Sequence, residues 1–148
     1  MPTSAHGNNP QLGFTLIELL VVVAIIAFAT AGVSFALRDT ADTQLEREAQ
    51  RLSALFETAR VQSRTSGLAV RWHPVEGGFR FDGLPPDTLP TNWLSAETTV
   101  RGTVTVVLGP EPIIPPQAVV LSSSAAPDRS LRIATDGLRP FAVSAEGP

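Results

Sequence analysis

The chain has 148 residues, 43% apolar and 17% charged, which is material for one modest domain and excludes two independent ones. Formal charge is −3, all 11 basic residues are Arg and Cys is absent, which excludes thiolate zinc sites, cysteine nucleophiles and a disulfide-stapled fold. A weakly acidic balance is also wrong for a basic nucleic-acid coat.

The apolar residues are concentrated at the start. Between Phe14 and Leu37 fourteen residues are Leu, Ile, Val or Phe and one, Glu18, is charged. At roughly −0.3 to −0.6 kcal/mol each, the apolar residues outweigh the roughly +3 kcal/mol of one acid at mid-bilayer, and Glu18 lies near one end. As a helix rising about 1.5 Å per residue the stretch reaches about 36 Å, enough for a hydrocarbon core of about 30 Å. A secretory signal peptide would need a basic start; Ala27-Phe28-Ala29 suits cleavage, but no Lys or Arg precedes Phe14. A plain signal anchor explains the length and leaves Glu18 as an unexplained cost.

A third reading uses more of the residues. Gly13-Phe14-Thr15-Leu16-Ile17-Glu18-Leu19-Leu20, followed by Val21-Val22-Val23-Ala24-Ile25-Ile26, closely resembles the type IV pilin and pseudopilin signature. The resemblance implies that residues 1–13 are a cytoplasmic leader, that a prepilin peptidase cuts between Gly13 and Phe14, and that Phe14 is then N-methylated. One departure is that such leaders carry Lys or Arg near the cut, where this one offers only His6. An N-terminal amine at Phe14 and a carboxylate at Glu18 are each costly alone in lipid and complementary as a pair. In the family that pairing joins neighbouring subunits of a filament, so the resemblance makes Glu18 an assembly residue.

No Pro occurs between Pro10 and Pro74 and no Gly between Gly32 and Gly67, so one helix from about Phe14 to Ser66 is expected, with Gly67 as its C-cap. Residues 14–37 form its transmembrane half and 38–66 an amphipathic half, where Leu45, Ala49, Leu52, Phe56 and Ala59 recur at helical spacing with Leu55 beside them. Its charges balance. Glu48 with Arg51 and Glu57 with Arg60 have pairing distance in sequence, and the simplest reading of these charges is a solvated face, with subunit packing as the alternative.

From Gly67 the period becomes alternating. Leu68–His73 and Phe79–Asp82 flank a Pro74–Gly78 turn and read as a hairpin; further strands are expected at Thr98–Leu108, broken near Gly102, then Ala118–Ser122, Leu131–Thr135 and Phe141–Ser144 around an Asp136-Gly137 turn. Gly83–Asn92 and Gly109–Pro116 read as long ordered loops. The β-rich domain spans 67–148. An antiparallel sheet needs a cover, and the amphipathic half-helix is the one helical candidate long enough, so the expected class is α+β with a long N-terminal helix on a small antiparallel sheet. The resemblance implies the same pilin-like architecture.

Within that family, Leu52–Arg64, the Trp72 strand, Gly78-Phe79-Arg80-Phe81 and the terminal Asp-Gly hairpin look most like the minor pseudopilin group called general secretion pathway protein H. That resemblance implies a non-enzymatic subunit of a type II secretion pseudopilus that supports protein export across the outer membrane. It would be held in the inner membrane by a single pass with its C-terminal domain in the periplasm. The implied partners are the prepilin peptidase and the other major and minor pseudopilins. No cofactor and no metal are expected, since Asp128 and Asp136 stand apart rather than forming an acidic calcium loop. His73 reads as a strand-end surface residue, Trp72 and Trp93 as core or loop anchors, and no Ser lies in a nucleophile elbow. The rival function is that of a related minor pilin that binds DNA for uptake. Six Arg against eight acids from Gly67 onward argue against nucleic acid, leaving a local gathering of Arg129, Arg132 and Arg139 as its one support.

Overall fold

A computed structural model describes residues 15–146. The chain divides into two compact units between Ala36 and Leu37. Helix α1 runs Leu16–Ser66. Thr15 begins it: the hydroxyl of Thr15 accepts the N–H of Glu18 at 3.3 Å and its carbonyl that of Leu19 at 3.2 Å, satisfying donors that a helix start leaves open. At the other end Gly67 takes a φ of 71° and donates its N–H to the carbonyl of Ser63 at 2.9 Å, the left-handed cap that glycine adopts without a Cβ penalty.

Seven strands follow: β1 Arg71–Val75, β2 Gly78–Asp82, β3 Thr98–Val100, β4 Val106–Val107, β5 Gln117–Ser123, β6 Ala126–Thr135 and β7 Ala142–Ala145. All pairings are antiparallel, but they make two sheets where the sequence suggested one, in the orders β2-β1-β4 and β3-β5-β6-β7. The cause lies at Gly102, whose φ of 77° breaks Thr98–Leu108 and sends its two ends to different sheets. The amide of Gln117 joins the sheets as a short imitation of a strand. Its Oε1 accepts the N–H of Val107 at 2.6 Å and its Nε2 donates to the carbonyl of Val107 at 2.9 Å.

Other boundaries move for local reasons. Pro74 and Val75 belong to β1 and Gly78 to β2, so the turn narrows to Glu76-Gly77. Pro74 is tolerated because β4 reaches only Arg71 and Trp72, which leaves no acceptor opposite the missing N–H. Strand β6 begins earlier than expected and holds Pro127 within a register shift between Ser122 and Ser123.

The stripe Leu45, Ala49, Leu52, Phe56 and Ala59 is buried as expected, with Leu55 packed beside it. It meets Val70, Trp72, Phe79, Val106 and Leu108 on the first sheet side and Val119, Leu121, Leu131 and Ile133 on the second. Phe56 sits where they converge, edge-on to Trp72 at 5.2 Å and to Phe141 at 4.8 Å between ring centroids. The solvated-face reading fails for two charges: Glu48 is 1% exposed and Arg60 4%. Each is kept by a partner, Arg51 at 3.1 Å and Glu57 at 3.2 Å, as burial of a charge requires.

Candidate membrane anchor and assembly helix

Leu16–Val33 is long and apolar enough to cross a membrane, about 27 Å as a helix, and all its side chains are exposed. Such exposure of Leu, Ile and Val is unfavourable in water and suited to lipid or to other helices. The hydroxyl of Thr30 donates to the carbonyls of Ile26 and Ala27 at 2.9 and 3.0 Å, so this polar group needs nothing from the surroundings. Glu18 carries the single formal charge of the segment and is exposed on the first turn.

Gly13 and Phe14, the expected cleavage and methylation positions, lie outside the described residues, as does the 1–13 leader. The sequence reading missed Thr15. The signal was present as Thr15-Leu16-Ile17-Glu18, a capping-box spacing that puts Glu18 in the first turn, where the helix N-terminus also favours an acid.

In the second unit the charges fasten loops and strands to α1. Glu48 accepts the N–H of Leu94 at 2.5 Å while Arg51 donates to the carbonyl of Asn92 at 2.9 Å. Arg129 lies 3.0 Å from Asp42 and 3.9 Å from Glu46, both on α1, and Arg139 lies 3.5 Å from Asp136. Two of the three arginines are thus held by separate carboxylates, while Arg132 stands exposed on β6 and lines one shallow surface pocket with Arg139 and Asp136. His73 occupies the middle of β1 rather than a strand end, half-buried and 3.2 Å from Asp82. Trp72 is buried in the core and Trp93 half-buried against Phe79 at 4.6 Å. Among the described residues no three His, Asp or Glu come together as a metal site.

The prokaryotic N-terminal methylation motif matches residues 8–34, which take in the exposed apolar segment Leu16–Val33. Type II secretion system protein H of Escherichia coli strain K12 is 32% identical over 87 residues, which cover 57% of this chain and 50% of that protein. The chain thus matches about half the length of that curated relative. No solved structure gives a significant match. A methylation motif at the head of an apolar helix, with a helix-on-sheet domain after it, defines a pilin-like α+β protein. Over the half of its length that is matched, the chain is similar to a pseudopilin of the protein H group.

Proposed function

We propose that this chain is a minor pseudopilin, a non-enzymatic structural subunit that supports protein export by assembling into a type II secretion pseudopilus. The observation that supports this most is the position of the methylation motif, residues 8–34, directly on the exposed apolar segment Leu16–Val33. On this reading a prepilin peptidase cuts after Gly13 and methylates Phe14. Leu16–Val33 then holds the protein in the inner membrane with the β-domain in the periplasm, and α1 stacks against other major and minor pseudopilins. Glu18 offers its carboxylate to the N-terminal amine of a neighbouring Phe14, which removes the cost of both charges in an apolar surrounding.

Mass analysis of the mature N-terminus tests the reading. A methylated Phe14 is expected from the wild type, and uncleaved precursor from Gly13→Val, because the larger side chain obstructs the cut. A mature chain beginning at Thr30 would instead establish ordinary signal-peptide cleavage and end the pseudopilin reading. The DNA-uptake alternative is weakened by the pairing of Arg129 and Arg139 with carboxylates, which leaves Arg132 beside Arg139 as its remaining basis.

A further inference from the structure

Strand β2 forms one edge of its sheet, and the segment after it, Gly83–Asn92, returns along that edge as a strap. The strap is fastened at its far end. The carbonyl of Thr91 accepts the N–H of Phe79 at 2.8 Å, Asn92 bridges to Gly78, and Arg51 and Glu48 hold Asn92 and Leu94. Gly78 permits this approach, since a Cβ there would strike the carbonyl of Thr91. Continuing the antiparallel register from the Gly78–Asn92 bridge would set Arg80 opposite Pro90, a pair whose backbone groups point away from each other, so the next rung along this edge falls at Phe81. Between Gly83 and Pro90 the strap carries Pro85 and Pro86, which suit a loop and not a ladder.

A cavity of about 530 Å³ opens between strap and strand. Backbone groups along a strand point alternately to its two edges, so the N–H and C=O of Phe81 face the same outer side as the N–H of Phe79. Among the described residues no strand lies opposite them. The walls combine Phe81, Leu84 and Leu89 with the carboxylates of Glu76, Asp82 and Asp87 against one guanidinium, that of Arg80. An apolar floor, an open strand edge and an acidic rim together specify a ligand.

We infer that this groove receives an extended segment of a partner protein that pairs with the edge of β2 at Phe81 and carries Arg or Lys between apolar residues. Backbone pairing supplies the register, the leucines take the alternate apolar side chains, and the rim selects positive charge. Because the strap is pinned at Thr91, Asn92 and Leu94, the groove is standing before the segment arrives, and little ordering is needed on binding.

Backbone-amide NMR of the full chain in detergent micelles tests this, with end-blocked Val-Arg-Val-Arg-Val as the probe and Val-Glu-Val-Glu-Val as its control. The basic peptide is expected to slow exchange of the Phe81 amide by about tenfold or more at saturation. The paired substitutions Glu76→Gln and Asp87→Asn remove rim charge while leaving the fold, and should weaken that peptide roughly three- to tenfold. The inference is overturned by an unprotected Phe81 amide, by equal binding of the acidic peptide, or by peptide affinity unchanged in the double variant. Protection of Phe81 that appears with rising protein concentration and no peptide would also overturn it, making the occupant a second copy of the chain.

Discussion

Oε1 of Glu57 accepts the backbone N–H of Phe141 at 3.0 Å, joining residues 84 positions apart. The carbonyl of the same Phe141 accepts the hydroxyl of Ser53 at 2.7 Å, and its ring packs on Phe56. One face of α1 therefore holds the entry to β7 by its donor, its acceptor and its side chain. The carboxylate of Glu57 also faces Arg60, at 3.2 Å, so a single group satisfies two buried donors from different parts of the chain.

Glu57→Ala should consequently be more damaging than an exposed ion-pair deletion. It leaves the Phe141 N–H and the Arg60 guanidinium without their acceptor, a loss of about 2–4 kcal/mol, whereas Ser53→Ala removes one hydrogen bond and about 1 kcal/mol. Denaturant unfolding of the fragment lacking residues 1–36 is the measurement, since the second compact unit begins at Leu37. That fragment is expected to be soluble and to unfold cooperatively, with Trp emission moving to the red as Trp72 leaves the core. Equal midpoints for the two variants would show that Arg60 finds another acceptor.

Gln117 presents a second contrast. Its amide both gives to and takes from Val107, so Gln117→Ala strands an N–H and a C=O on β4 and should lower stability by about 1–3 kcal/mol. Gln117→Glu keeps the acceptor for the Val107 N–H and turns the donor into a second oxygen facing the Val107 carbonyl. Its loss should be at least as large, and should shrink when the carboxyl is protonated in acid. A Glu variant as stable as wild type at neutral pH would mean that the two sheets are joined by other contacts.

What was legible in the sequence follows from where periodicity is local. The buried stripe Leu45–Ala59 could be read residue by residue because one helix determines its own spacing, and Gly67 announced its end. The division into two sheets was not legible. It depends on Gly102 turning the chain and on Gln117 reaching Val107, and neither leaves a repeating pattern. Burial of Glu48 is illegible for the same reason: its spacing to Arg51 suits an exposed pair equally well, and only the return of Leu94, 46 residues later, buries it. At the anchor, the apolar run and Glu18 are plain, while the Thr15 cap is a polar spacing that hydrophobic periodicity does not report.

The Asp136-Gly137 turn predicts a response to acid. Backbone N–H groups of Arg139 and Leu138 donate to Asp136 Oδ1 at 2.8 and 2.9 Å and hold its carboxyl below the usual carboxylate range. A folded pKa depressed below the unfolded value contributes stability that is present above the unfolded value, 3.8, and is lost as pH falls through the folded one. Asp136→Asn removes that contribution at neutral pH. The stability gap between wild type and variant should therefore close on acidification below about pH 4. A gap that is constant from neutral pH to pH 2 would show that ionisation of Asp136 does not carry the difference.

Glu18 separates insertion from assembly. In Glu18→Leu the bond that starts α1 survives, because Thr15 receives the backbone N–H of residue 18 and not its side chain. Removing a carboxylate from an apolar segment lowers the cost of entering lipid by as much as about 3 kcal/mol, so membrane insertion and cleavage at Gly13 should persist or improve. In a filament, however, the amine of Phe14 would meet no carboxylate, and an unpaired charge in an apolar contact costs several kcal/mol even after relaxation. Quantifying processed protein in the membrane beside the pseudopilins that co-purify with it distinguishes the two effects. The processed level should hold while partner recovery falls at least tenfold, about 1.4 kcal/mol of lost association. Unchanged recovery would remove Glu18 from assembly and leave it the lesser part of an acid at a helix N-terminus.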